Sequence, residues 1–188
     1  MPSDRGGAAP DAVLETVAMQ TAAAPIVLID GPAGAGKSTL ADALVALWPD
    51  GRAPTLLRMD DLYPGWRGLD AGSRYLRSKV LAPLRRGSPA RWQSYDWATR
   101  ERGDEWHQVD ASSPLIVEGC GTLSVANARL ADVTVWLNAD DDVRKRRALE
   151  RDHGGFDPYW DIWDAQFVAF VRREDPVALA DVILNGTP

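Results

Sequence analysis

The chain has 188 residues, 45% of them hydrophobic and 26% charged, the balance of an ordinary globular protein whose core needs no covalent staple. Its 21 Lys and Arg against 27 Asp and Glu leave a net charge of -6, which excludes sequence-independent binding to nucleic acid or to an anionic membrane, so any anion must be recognised locally. A single cysteine, Cys120, builds neither a disulfide framework nor a multi-thiolate metal site, and predicts a cytoplasmic protein.

Residues 1–10 are rich in Gly, Ala and Pro with no basic stretch leading into an apolar one, and read as a flexible lead-in rather than a secretion signal. Residues 11–20 carry a short helical pattern with Val13, Leu14 and Val17 on one side. Residues 26–29 form a β-branched run without alternation, the pattern of a strand buried on both faces. Similar runs follow at 55–59, 115–117, 133–137 and 182–184, and none approaches the ~18 residues of a membrane span. Helical patterns lie between them at 37–47, 73–86 with a break near Pro83, 123–130 and 140–152. Strands alternating with helices predict a doubly wound α/β fold with a mostly parallel sheet. The Trp- and Tyr-rich stretch 91–109 is expected to form a hairpin or lobe outside that sheet.

Directly after the first strand stands Gly31-Pro32-Ala33-Gly34-Ala35-Gly36-Lys37-Ser38, which satisfies G-x-x-x-x-G-K-[ST]. Its glycines permit a tight turn whose N–H groups face a phosphate, and the following helix aims its positive end at the same spot. Lys37 would reach the β- and γ-phosphates, Ser38 would bind Mg²⁺, and Thr39 would assist at the α-phosphate. The guanine-reading N-K-x-D motif is absent, since Asn138-Ala139-Asp140 lacks the Lys and the spacing, so a GTP switch is not expected.

Three further features invite roles around that loop. Asp60, at the end of the second run, is placed to accept a proton from an attacking alcohol; alternatively Asp60 and Asp61 cap the next turn. Glu118 ends the third run where a carboxylate can hold Mg²⁺, or else serves the turn. Arg144, Arg147 and Arg151 fall at i, i+3, i+7 and make one cationic stripe, either closing over a triphosphate or facing water. Lys145 and Arg146 lie off the stripe.

In this order, the phosphate loop, Met59-Asp60-Asp61-Leu62-Tyr63, Tyr95-Asp96-Trp97, Val117-Glu118-Gly119, the basic stretch 144–152 and Ala180-Asp181-Val182-Ile183 resemble the uridine kinase branch of the uridine kinase/phosphoribulokinase/pantothenate kinase family. The resemblance implies a five-stranded parallel sheet in the order 2-3-1-4-5. It also implies γ-phosphoryl transfer from ATP with Mg²⁺ to a hydroxyl of a nucleoside or similar metabolite; the alternatives are a kinase for another alcohol, such as a sugar or vitamin, or for a nucleotide, or a non-catalytic ATP-binding module. Asp60 would be the base, with Lys37, Arg147 and Arg151 as its catalytic cations. Gly31, Ala33, Gly34, Ala35, Gly36, Lys37, Ser38, Thr39 and Arg144 would hold the nucleotide, and Ser38 and Glu118 the metal. Tyr63 and Tyr95 would line the acceptor pocket. Residues 21–188 would be one kinase domain, with an acceptor-side segment at 91–109 and a lid helix at 140–155.

Three features depart from the family: the segment from Asp152 to the last strand is shorter than in typical members, Ala148 stands where the lid pattern has an arginine, and the pyrimidine-reading position differs. Where uridine kinases carry a pyrimidine-reading histidine five residues after the second tyrosine, this chain has Arg100. Turned inward, Arg100 would suit an acceptor bearing phosphate or carboxylate; turned outward, it would pair with Glu101 or Asp104. Of the aromatics, Tyr95 is the expected pocket wall, and Trp92, Trp97 and Trp106 are expected in the core. Phe156, Trp160, Trp163, Phe167 and Phe170 are expected to pack, as is Cys120. His107 and His153 lack ligand spacing, so no dedicated metal centre is expected. The expected partner is a small-molecule acceptor, with no nucleic acid and no membrane, and nothing in the sequence sets an oligomeric state.

Overall fold

The computed structural model describes residues 8–151 and 154–186. Helix α1 (Ala8–Ala18) leads into β1 (Ile26–Asp30), α2 (Lys37–Leu47), β2 (Thr55–Arg58) and a 3₁₀ turn over Met59–Asp61. Then come α3 (Leu69–Leu76), α4 (Ala82–Arg85) and four short strands: β3 (Ala90–Trp92), β4 (Tyr95–Asp96), β5 (Glu101–Arg102) and β6 (His107–Val109). The chain closes through β7 (Leu115–Glu118), α5 (Val125–Ala128), β8 (Val133–Asn138), α6 (Asp141–Arg151), α7 (Trp160–Glu174) and β9 (Val182–Asn185).

All five residues of β1 are buried because successive side chains of a strand point to opposite faces and both faces here are covered. Val27 and Ile29 join Ile116, Val133 and Val135 against Val13 and Val17 of α1 and Leu40, Ala41 and Leu44 of α2. Ile26 and Leu28 look the other way, into a larger core with Leu57, Leu115, Val117 and Trp136 and the apolar sides of α3, α4 and α7. The five long strands pair β2-β7-β1-β8-β9, every pair parallel, which is the 2-3-1-4-5 order expected. The loops after β1, β2 and β7 therefore leave the same edge of the sheet side by side, the general location for ligands in open α/β sheets.

The expected helix at 73–86 starts earlier, at Leu69, and changes register instead of simply breaking at Pro83. A proline ring displaces the carbonyl four residues back, here that of Lys79, and the π-helical turn Arg77–Leu81 absorbs the displacement before α4 resumes. The helix expected at 123–130 shrinks to the single turn α5, capped by Ser124 accepting from the Asn127 N–H. Segment 91–109 does form antiparallel ribbons outside the sheet, β3 with β6 and β4 with β5. Of the lead-in expected at 1–10, residues 1–7 lie outside the described residues, whereas 8–10 are not flexible but open α1, which packs firmly: Val13 is fully buried. Asp152 and His153 of the expected lid also lie outside them. Among the described residues no helix is long and apolar enough to cross a membrane.

Candidate active site

At the end of β1 the chain reverses at once through Gly31, with φ +149°, and Gly34, with φ +82°, conformations that side chains resist. A Cβ on Gly34 would also run into the carbonyl of Arg144, so glycine there lets α6 rest directly on the loop. Lys37 opens α2, and its ammonium is drawn inward, donating to the carbonyls of Gly31 at 2.9 Å and Pro32 at 2.8 Å, with Cys120 Sγ 3.6 Å away. Ser38 Oγ donates to Glu118 Oε1 at 2.9 Å, across from the end of β7. Arg58, the register partner of Glu118 on β2, donates to the same oxygen at 3.1 Å and spans to Asp42 at 2.7 Å. The Glu118 carboxylate is thus oriented from both sides.

Asp60 and Asp61 lie on the 3₁₀ turn after β2 and both line the cavity that opens over the phosphate loop. Asp60 is open to the water of that cavity yet ringed by protein, and this crowding raises its pKa. The Glu118 charge pushes the same way, while Arg151 and Lys37 pull it down. Asp30, which sequence reading missed, is fully buried beneath the loop and accepts from the N–H groups of Gly31, Gly121 and Leu123 at 2.7, 3.0 and 2.8 Å. Burial still outweighs those bonds and Lys37, raising its pKa from 3.8 to about 6. Asp30 ties the loop after β7 to the loop after β1, so the two halves of the site hold one register.

The cavity has a volume of about 560 Å³. Its polar side is formed by Lys37, Ser38, Asp60, Asp61, Glu118 and Arg151, and its apolar side by Trp66, Trp97, Phe156 and Trp163. Trp66 stacks on Tyr159 and Phe156, with centroids 4.6 and 5.1 Å away, and touches Trp97 at 4.8 Å. The Trp97 indole N–H donates to the backbone carbonyl of Asp60 at 3.0 Å, fastening that wall to the acid. Tyr63 forms part of the floor, its hydroxyl committed to the Cys120 carbonyl at 2.6 Å.

Several expected site residues stand elsewhere. Tyr95 is outside the cavity lining, backing Trp97 edge-on at 5.4 Å, and it is Trp97, expected in the core, that lines the cavity. Alternation along a strand does not extend past β4, which is two residues long and turns immediately. Trp92 is buried as expected, whereas Trp106 is half exposed with Arg91 packed over it at 5.3 Å. Phe156 and Trp163 are buried as expected and line the cavity as well. Arg100 is exposed in a left-handed turn after β4 and does not reach the cavity. The arginine stripe divides: Arg144 is buried against α7, bonded to Asp141 at 2.6 Å and Asp164 at 3.0 Å, Arg147 is half-buried outside the lining, and only Arg151 lines the cavity. Of the loop residues, Ala33 and Gly34 line the cavity, while Ala35 is buried inside the turn and Thr39 is exposed outside it.

No group of three or more His, Cys, Asp or Glu able to hold a metal occurs among the described residues. The pair formed by Ser38 Oγ and Glu118 Oε1 nevertheless fits Mg²⁺. It offers hard oxygens only, and Mg²⁺ ordinarily takes one or two protein oxygens and completes its shell with water and substrate phosphates.

No family model matches the chain, and no curated protein matches its sequence. Solved structures do. One described as a possible uridine kinase from Bacillus stearothermophilus superposes with a TM-score of 0.66 at 21% identity, covering 94% of this chain and 97% of that one. A proposed fructose transport system kinase from Silicibacter sp. TM1040 gives 0.58 at 20% identity, with the same coverage of 94% and 97%. With its all-parallel 2-3-1-4-5 sheet and a phosphate loop behind the first strand, this chain has the fold of the uridine kinase-like P-loop kinases.

Proposed function

We propose that the protein is a kinase that transfers the γ-phosphoryl group of ATP, with Mg²⁺, to a hydroxyl of a small metabolite. The observation that carries this reading is that one cavity joins Lys37 and Ser38 of the phosphate loop to Asp60 at the end of β2 and Glu118 at the end of β7. A module that only binds nucleotide has no need of a crowded carboxylate facing the phosphate end.

The loop N–H groups and the start of α2 cradle the phosphates, and Lys37 moves its ammonium from the Gly31 and Pro32 carbonyls to the transferring group. Ser38 and Glu118 would hold Mg²⁺, which supplies charge neutralisation on the phosphates when bound. Asp60 accepts the proton of the acceptor hydroxyl as its oxygen bonds to the γ-phosphorus and the bond from that phosphorus to the β–γ bridging oxygen breaks, releasing ADP. A pKa above that of an ordinary carboxylate makes Asp60 the stronger base. Arg151, entering from α6, neutralises charge spread over the transferring phosphoryl. Trp66, Trp97, Phe156 and Trp163 hold the acceptor and keep water off the reacting centre.

Asp60→Asn tests the reading. It should lower kcat by ~10²-fold or more while leaving the KM for ATP nearly unchanged, since an amide fills the same space but takes no proton. Unchanged turnover in a coupled ADP-release assay would remove Asp60 from the mechanism.

A further inference from the structure

The chemistry of the acceptor follows from what the cavity offers beyond the phosphate loop, and this inference rests on the kinase reading above. Three carboxylates, Asp60, Asp61 and Glu118, line the cavity against two cations, Lys37 and Arg151. Both cations lie close enough to lower the Asp60 pKa, and a triphosphate would bring several more negative charges to them. A further anion on the acceptor would compete with the triphosphate for those two cations and would face Asp60 and Asp61, and Arg100, the residue suited to receive it, is exposed outside the cavity.

The acceptor half is also short of side-chain donors. Among the described residues, the Tyr63 hydroxyl is spent on the Cys120 carbonyl and the Trp97 N–H on the Asp60 carbonyl. Asp60 and Asp61 line the cavity as pure hydrogen-bond acceptors beside an aromatic wall whose remaining donors are two indoles, that of Trp163, which is drawn to Cys120, and that of Trp66. A pyrimidine base displays carbonyl groups that need donors, and a polar group left unpaired in such a site is strongly rejected. A molecule with many hydroxyls is the complement: each hydroxyl donates to a carboxylate through a charge-assisted bond, and its C–H surface packs on an indole. Trp97 is 36% exposed for such a contact and is fixed to the backbone of Asp60 itself.

We propose that the acceptor is an uncharged polyhydroxylated compound, a free sugar or sugar alcohol, packed on Trp97 with its hydroxyls donating to Asp60 and Asp61. One of those hydroxyls loses its proton to Asp60, forms the new O–P bond and leaves as the phosphate ester with ADP as co-product. Trp97 is then the specificity-determining wall and Asp61 the residue that orients the neighbouring hydroxyl.

The test is ADP release by the full chain with ATP and Mg²⁺ against three sets: free pentoses, hexoses and linear polyols; their monophosphates; and uridine and cytidine. At least one member of the first set should exceed every member of the other two in kcat/KM by ~10-fold or more. A nucleoside or a monophosphate as the best acceptor overturns this inference and leaves the kinase reading standing. If no compound raises ADP release while ATP still binds, this inference falls, and the kinase reading then rests on a wider set of alcohol acceptors. With the best acceptor of the first set, Trp97→Ala should raise its KM by ~10-fold and Trp97→Phe by less, with the KM for ATP unchanged in both. Asp61→Asn should likewise raise only the acceptor KM. An unchanged acceptor KM in Trp97→Ala, or parallel changes in both KM values, overturns the role given to that wall.

Discussion

Asp30 and Asp60 both carry raised pKa values for one reason, crowding by protein, but they act on different observables. Asp30 rises from 3.8 to about 6, so between those values the folded state holds a proton that the unfolded state has released. Its contribution to stability is complete below pH 3.8 and is lost as pH rises through about 6, a span worth about 3 kcal/mol. Subtracting the denaturation curve of Asp30→Asn from that of the parent chain should expose this decline between pH 4 and 6.5, and a flat difference would contradict the shift. Asp60 acts on turnover instead. Arg151 lowers its pKa, so Arg151→Gln should move the acid limb of kcat/KM to higher pH as well as reduce kcat. A fall in kcat with no movement of that limb would separate Arg151 from Asp60.

At the scale of elements, α6 is less a free lid than a helix seated on the phosphate loop and fastened to α7. Its Arg144 is buried, bonded to Asp141 and Asp164, and packed 5.3 Å from the Trp160 ring. Its backbone touches the loop at Gly34. Gly34→Ala therefore meets two obstacles, a φ of +82° and the Arg144 carbonyl, and should displace α6. We expect a loss of stability of about 1–3 kcal/mol in chemical denaturation. Turnover should fall by ~10-fold or more, because Arg151 rides on the same helix. Gly51, at φ +66° with nothing near its Cβ, is the control, since Gly51→Ala carries the backbone cost alone. Equal effects at both positions would mean that α6 yields freely.

The whole molecule is acidic, with Lys37 and Arg151 as the cations lining the cavity, and the two sides of the site are joined both by the pairing of β1, β2 and β7 and by the Asp30 bonds between their loops. Binding of ATP with Mg²⁺ should therefore stabilise the entire fold. At 100 times Kd the gain is about 2.7 kcal/mol, which corresponds to roughly 5–10 °C in Tm for a chain of this size. Thermal unfolding with and without nucleotide measures it, and the shift should largely vanish in Lys37→Ala. A full shift in that variant would place the nucleotide away from the loop.

Local chemistry made part of this site readable in advance. The glycine spacing before Lys37 and Ser38 dictates the loop, and the unalternated runs ending at Asp60 and Glu118 dictate buried strands whose ends must emerge beside it. These signals work because they depend on neighbours in sequence: a tight turn needs glycine within a few residues, and a strand buried on both faces needs an unbroken apolar run. The direction of the remaining side chains depends on partners far along the chain. Arg144 stays out of the cavity because Asp164, twenty residues on, reaches it from α7. Trp97 replaces Tyr95 as a wall because the Asp60 carbonyl, 37 residues earlier, captures its indole. Arg58, Trp66 and Asp30 gain their roles only when β2, β7 and their loops lie side by side. The sequence alone determined the alternation of strands and helices, the phosphate loop and the two strand-end acids, while the strand order came from the family resemblance. Only the tertiary structure decided which arginine and which aromatics face the cavity, because those orientations are set by long-range hydrogen bonds and packing that no local pattern encodes.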